Sequence, residues 1–135
     1  MIPEKSRLLL ILFFASLLIR LAVISQMSAH DICFHYPFVD EMTNVDQARL
    51  FLEEGPAAGT PWWKPPGYPA LLSIIGSGFD DIGPMGQGVP PSWAWTVKVI
   101  QALLDAGTTL LLALMALRWG GRRAALWTGL LHGLC

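Results

Sequence analysis

The sequence is poor in charged residues and in cysteine, and both shortages narrow the class of protein. Asp, Glu, Lys and Arg make up 14% of the 135 residues, whereas a soluble domain carries about 25%. Charged residues are scarcest in three apolar blocks, at 8–26, 94–117 and 124–135. Such blocks predict an all-α integral membrane protein with transmembrane helices.

The segment between the first two blocks, 27–93, has few basic residues. It contains eight acids against two bases, a balance of −6. Because phosphate groups must be met by positive charge, this balance excludes a nucleic-acid partner.

The cysteines are also too few to build a disulfide framework. Cys33 and Cys135 are interpreted as free thiols. Cys33 stands near Asp31, His30 and His35, which makes a compact group of metal-ligand types. The spacing matches no standard zinc pattern, so no metal site is assigned. A divalent metal ion is left open as a cofactor, and no other cofactor is predicted.

The block 8–26 is predicted to be the first transmembrane helix, after a short cytoplasmic N-terminus at 1–7. Its apolar core of about 18 residues gives roughly 27 Å of helix, close to the hydrocarbon thickness. Arg20 is its one charge, and we expect its side chain to snorkel to the outer interface. A cleaved signal peptide is the alternative, although Met27 to His30 make a poor cleavage site.

The block 94–117 is predicted to be the second transmembrane helix. Its polar residues Lys98, Gln101 and Asp105 share one helical face. Ionisable groups in a membrane helix usually face a bundle interior or a watery cavity. In the alternative, Lys98 lies at the outer interface and Asp105 bonds locally to Thr109.

Basic residues set the predicted orientation. Lys5 and Arg7 precede the first helix, and three arginines lie in the turn 118–123. Both groups are expected in the cytoplasm, which places 27–93 in an extracytoplasmic loop. A multi-pass protein of the bacterial inner membrane is the favoured location, and an endoplasmic reticulum protein obeys the same charge rule.

The third apolar block, 124–135, is too short to span a bilayer. It is interpreted as the start of a third transmembrane helix, so that the chain is the N-terminal piece of a longer polytopic protein. The alternative is a small protein whose last helix lies along the interface.

The loop is expected to contain two short juxtamembrane helices. Thr43 and Asp46 form a capping-box pattern and Gly55 offers a stop, which predicts a helix at 44–54. Its apolar stripe is expected to lie on the membrane surface, and consists of Val45, Ala48, Phe51 and Leu52. A second helix is predicted at 69–79, followed by a linker over 80–92 to which we assign no chemistry.

Three short pieces of sequence occur in a recognisable order along this topology. They are Asp40-Glu41-x-x-Asn44-x-x-x-Ala48, Lys64-Pro65-Pro66-Gly67-Tyr68 and Arg122-Arg123-Ala124-Ala125-Leu126. In this order they resemble the N-terminal part of the C-type (GT-C) glycosyltransferases, especially the protein mannosyltransferase and lipid A aminoarabinose transferase group.

The resemblance implies a transferase that acts on the outer face of the membrane. It would move a sugar from a polyprenyl-phosphate donor to a lipid, glycan or protein acceptor. Asp40 is then the candidate catalytic base, and Glu41 assists it. Lys64 is the candidate contact for the lipid-linked phosphate, and Tyr68 is the second candidate substrate-binding residue. These 135 residues alone are expected to be inactive.

Two positions depart from the family pattern. Asn44 stands where an aromatic residue is common, and Thr43 stands where the aminoarabinose transferases have a base. The sugar is therefore left open. The alternative function is a small non-catalytic membrane protein that binds a partner through its Trp-rich loop.

Overall fold

The computed structural model describes residues 4–34, 36, 40–55, 65–79, 81–84 and 87–134. Over these residues all regular structure is helical. The elements in order are α1 (Glu4–His30), a short 3₁₀ turn (Ile32–Phe34), α2 (Asp40–Glu54), α3 (Gly67–Gly76) and α4 (Pro91–Leu134). They belong to two compact units, here called the bundle unit (Met1–Gln26 with Lys98–Cys135) and the loop unit (Met27–Val97).

Helix α4 is interrupted at Gly121. A straight helix of its 44 residues would be about 66 Å long, roughly twice the hydrocarbon core of a bilayer. Gly121 instead has φ 73° and ψ −167°, a conformation that glycine adopts without a Cβ penalty. The stretch is therefore two helices, α4a (91–120) and α4b (122–134), and the break falls inside the turn predicted at 118–123.

In the bundle unit, α1, α4a and α4b pack against one another. Leu8 and Leu12 of α1 form a buried cluster with Ala113 of α4a and Ala125 of α4b. The small alanines let the helix backbones approach closely. The first turns of α1 and the Gly121 break therefore lie at the same end of this unit.

Two helices, α1 and α4, are long and apolar enough to cross a membrane. Much of their apolar surface is exposed, including Ile11 and Leu18 on α1 and Leu111 on α4. Exposed large aliphatic side chains along a helix of this length suit a lipid environment. The prediction of an all-helical chain with membrane-compatible helices is confirmed at this level.

In the loop unit, α2 packs against α3. Val45, Ala48 and Phe51 are buried, and a Cβ added to Gly76 of α3 would lie 3.0 Å from a terminal methyl of Leu52. Three of the four stripe residues are buried within the protein and Leu52 is 39% exposed, so the expectation that the stripe lies on the membrane surface was wrong for those three. The two helices are therefore in contact near their C-terminal ends.

Candidate functional site

The two acids predicted to be catalytic occupy the first turn of α2. This helix begins at Asp40 and not at Asn44, so the capping-box prediction at Thr43 was wrong. Asp40 is exposed and Glu41 is half-buried. The N-terminal turn of a helix carries partial positive charge and stabilises a carboxylate. Asp40 therefore presents its carboxylate to solvent at the start of α2.

The predicted substrate-binding residues lie in and before α3. Tyr68 is in the first turn of α3 and is half-buried. Pro69 follows it and is buried, and its fixed φ is tolerated in a first helical turn. Lys64 lies outside the described residues. The structure therefore brings Asp40, Glu41 and Tyr68 onto two helices that pack together.

Arg49 is a residue of the loop unit that the sequence interpretation missed. Its side chain is 3% exposed, and it donates hydrogen bonds to the Asp46 carboxylate at 2.5 Å and to the carbonyl oxygen of Ile82 at 3.0 Å. A third contact reaches the carbonyl oxygen of Gln87 at 3.5 Å. A buried guanidinium needs such partners to offset its lost hydration.

The linker predicted over 80–92, to which no chemistry was assigned, has a structural role in the loop unit. The hydrogen bonds of Arg49 fix this segment against α2, and Ile82 and Val89 are buried. Gly83 has φ +84°, and a Cβ there would lie 2.7 Å from the carbonyl oxygen of Gly88. The loop thus holds the helix that carries the acids.

Cys33 follows the end of α1 and is an exposed free thiol. Its backbone N–H donates to the Asp31 carboxylate at 2.8 Å. Partial desolvation and the negative charges of Asp31 and Glu41 raise the pKa of the Cys33 thiol above its ordinary value. Within the described residues, no group of three ligand-type side chains could hold a metal ion, and His35 lies outside them.

The bundle unit contains a second polar site, and it corrects the interpretation of Arg20. The Arg20 guanidinium does not snorkel to an interface. Its Nε forms an ion pair with Asp105 of α4a, and its Nη1 donates to Ser16 Oγ at 2.6 Å. The carbonyl oxygens of His132 and Gly133 in α4b accept from the same guanidinium at 3.1 and 3.2 Å.

Hydroxyl groups extend this polar site across the three helices. Ser16 and Thr109 are buried, and their oxygens are 3.0 Å apart. Thr109 Oγ1 also lies 2.9 Å from His132 Nδ1, and His132 Nε2 is 3.9 Å from Asp105. We call these four residues, together with Arg20, the Arg20–Asp105 network.

Asp105 pairs with α1 within the bundle unit, as one of the two sequence interpretations expected. Its side chain is 45% exposed, and Thr109 Oγ1 donates to its carbonyl oxygen at 3.2 Å, a local contact like that of the alternative. A cavity of about 370 Å³ beside it is lined by Arg20, Lys98, Gln101 and Asp105 together with aliphatic side chains. The ion partner comes from α1, so the acid does not require a helix outside this chain. The sequence signal for the partner was Arg20 itself, a lone charge in an apolar block.

Two glycines let α4b approach α1 closely enough for these contacts. A Cβ on Gly129 would lie 2.7 Å from a methyl carbon of Leu12, and one on Gly133 would lie 3.6 Å from Ser16 Cβ. Gly129 and Gly133 are four residues apart, the small-xxx-small spacing that allows close helix packing in membranes. This spacing is the sequence signal that predicts a packed third helix.

Comparison with known proteins adds no family assignment. No family model matches the chain, and no match emerges among the curated proteins or the solved structures.

Proposed function

We propose that this chain is the N-terminal part of a C-type membrane glycosyltransferase. The complete enzyme would transfer a sugar from a polyprenyl-phosphate donor to a lipid, glycan or protein acceptor on the outer face of a bacterial inner membrane. The orientation rests on the basic residues around Arg7 and at 118–123.

The observation that carries the proposal is the position of the acid pair. Asp40 and Glu41 begin α2, and α2 packs on the helix that carries Tyr68. An exposed carboxylate at the start of a helix can take a proton from an acceptor hydroxyl that comes within hydrogen-bond reach. Arg49 and its carbonyl partners fix the position of that helix. The sequence resemblance at 40–48 and 64–68 supports sugar transfer as the proposed reaction.

The test is sugar transfer in membranes that contain the full-length protein. Asp40→Asn should lower the transfer rate by about 10²- to 10⁴-fold, the usual contribution of a general base, with unchanged protein level in the membrane. Glu54→Gln is the matched control, because it removes an exposed acid from the other end of α2. Equal rates for Asp40→Asn and the wild type would refute the assignment.

Lys64 is tested in the same membranes. Lys64→Ala should raise the donor concentration needed for half-maximal transfer, because an ammonium group stabilises charge on the leaving phosphate. Membrane insertion should be unchanged. Identical donor kinetics in the variant and the wild type would remove Lys64 from the site.

A non-catalytic function is the second candidate, and one observation favours it. Arg20 and α4b already provide Asp105 with a bundle, so the polar face does not demand additional helices. A stable complex with another membrane protein, together with no sugar transfer by the full-length protein, would establish this alternative.

A further inference from the structure

The end of the bundle unit that contains Gly121 carries a concentration of exposed arginines. Leu8, Ala113 and Ala125 pack in one buried cluster, which brings the first turns of α1 to the same end as the break in α4. Arg7 on α1 and three arginines around the break are exposed at this end, namely Arg118, Arg122 and Arg123.

Negative charge is scarce at this end. Lys5 joins the four arginines in the sequence, and Glu4 is the only acid within 1–26. No acid occurs between 106 and 135. Asp105 precedes Arg118 by thirteen residues, or about 20 Å along a helix, and it is paired with Arg20. The surface therefore has a strongly positive potential.

Two tryptophans border the arginines. Trp119 is 83% exposed and Trp127 is 67% exposed. Indole rings with this exposure favour the headgroup level of a bilayer, where the apolar ring is buried and the N–H reaches water or a headgroup. If α1 and α4a cross the membrane, the arginines beside these rings lie at the depth of the lipid phosphates.

Gly121 sets where the arginines on either side of it lie. The chain reverses there, since Thr109 of α4a contacts His132 of α4b, so Arg118 at the end of one helix and Arg122 at the start of the next both lie beside one turn. A Cβ on Gly121 would meet nothing within 4 Å, so the requirement for glycine is conformational. One guanidinium group can donate two parallel hydrogen bonds to a phosphate group. Several guanidinium groups close together can therefore bind a phosphodiester.

We propose that this arginine surface, Arg7, Arg118, Arg122 and Arg123 with Trp119, binds the phosphate headgroups of anionic phospholipids. Headgroups with two phosphodiesters bind more tightly than those with one, because the arginines come from three helical segments and span more than one phosphate. This inference goes beyond the proposed function and does not depend on it. It depends on the membrane position of the bundle unit.

The experiment is native mass spectrometry of the full chain in detergent, with lipids added in equal amounts. The lipids are phosphatidylcholine, phosphatidylglycerol and cardiolipin. The wild type should retain cardiolipin most, phosphatidylglycerol next and phosphatidylcholine least. Equal retention of all three lipids by the wild type would overturn the proposal without recourse to any variant.

Variants locate the site. The double variant Arg118→Ala/Arg123→Ala should bind anionic lipid about 30-fold more weakly, since each basic residue at a membrane surface contributes a few-fold to affinity. Lys98→Ala is the control, because it removes one positive charge about 30 Å away along α4a and should leave lipid retention unchanged. Equal losses in the two variants would show a general charge effect and contradict the site.

Two further arms test the chemistry. Arg118→Lys/Arg123→Lys keeps the charge but not the paired donors, so its affinity should fall between those of the wild type and the alanine variant. Glycerol phosphate at millimolar concentration should not displace bound cardiolipin, because it lacks the acyl chains by which a lipid contacts the apolar helix surface. Displacement would show that the surface binds soluble phosphate instead of lipid.

Discussion

Removal of the Arg20–Asp105 ion pair should destabilise the bundle unit in a strongly non-additive way. Arg20 is 15% exposed and Asp105 is 45% exposed in their side chains, so the pair is only partly shielded. Deleting one partner of a buried pair costs about 3–5 kcal/mol, and the exposure of Asp105 places the expected loss near the lower limit. We therefore expect Arg20→Leu and Asp105→Leu each to lower the free energy of unfolding by about 3 kcal/mol.

The double variant separates the ion pair from its surroundings. Arg20→Leu/Asp105→Leu leaves no unpaired charge, although the carbonyl oxygens of His132 and Gly133 still lose their donor. We expect a loss of about 4 kcal/mol instead of about 6, which gives a coupling energy of about 2 kcal/mol.

The assay is unfolding of the purified chain in mixed detergent micelles by increasing SDS, followed by far-UV circular dichroism. Arg7→Leu is the control, because it removes an exposed arginine from the same helix and should change stability by less than about 0.5 kcal/mol. Losses that add within about 0.5 kcal/mol would refute the coupling and, with it, the packing of α1 on α4a.

Two more predictions test the close helix contact and the raised pKa of the Cys33 thiol. Gly129→Val should lower the unfolding free energy by about 1–3 kcal/mol in the same SDS titration, since its Cβ would lie 2.7 Å from Leu12 and overpacking has that cost. Cys33 should react with iodoacetamide more slowly than a free cysteine between about pH 7 and 9, because its raised pKa leaves less thiolate at a given pH. Desolvation and the charges of Asp31 and Glu41 cause that shift, so Asp31→Asn should speed the reaction.

Both predictions have matched controls. Gly107→Val adds the same side chain to a helical glycine with nothing within 4 Å of its Cβ, and it should be tolerated. An equal loss at Gly107 and Gly129 would contradict the close contact. The thiol experiment uses a Cys135→Ser background, with Glu54→Gln as the distant charge control. An Asp31→Asn rate equal to that of the background would show that this charge does not act on the thiol.

Features that depend on local composition, such as helices and turns, could be predicted from the sequence. Long apolar blocks indicated the helices, and the arginines at 118–123 marked the turn that Gly121 makes. Gly55 was predicted to end α2, and it does so with φ +87° and an N–H bonded to the carbonyl oxygen of Phe51.

What could not be predicted depends on contacts between distant residues. Arg20 and Asp105 are 85 positions apart, and a lone arginine in an apolar helix fits snorkelling as well as ion pairing. The apolar stripe of α2 fits a membrane surface as well as a helix partner, and only the position of α3 decides between them. Arg49 was missed because two of its acceptors are carbonyl oxygens of a distant loop, which have no signature in sequence, although its third acceptor, Asp46, is only three residues away.

For the candidate site, the residue types and order indicated Asp40, Glu41 and Tyr68, while their positions in space came from the packing of two helices. The first turn of α2 was assigned too late because Thr43 and Asp46 mimic a helix start. The chemical roles of these residues remain proposals that the transfer assays test.

The long separation between Arg20 and its partner has a consequence for biosynthesis. A ribosome adds about 5–20 residues per second, so the 85 residues between Arg20 and Asp105 take roughly 4–17 s to make. If α1 inserts into a bilayer as it is made, Arg20 waits through that interval without its carboxylate. The cost is below the value of about 2.5–3.5 kcal/mol for an arginine at a helix centre, because Arg20 lies near the end of the apolar block. The ion pair that stabilises α1 in the bundle unit then forms only after Asp105 of α4a has been synthesised.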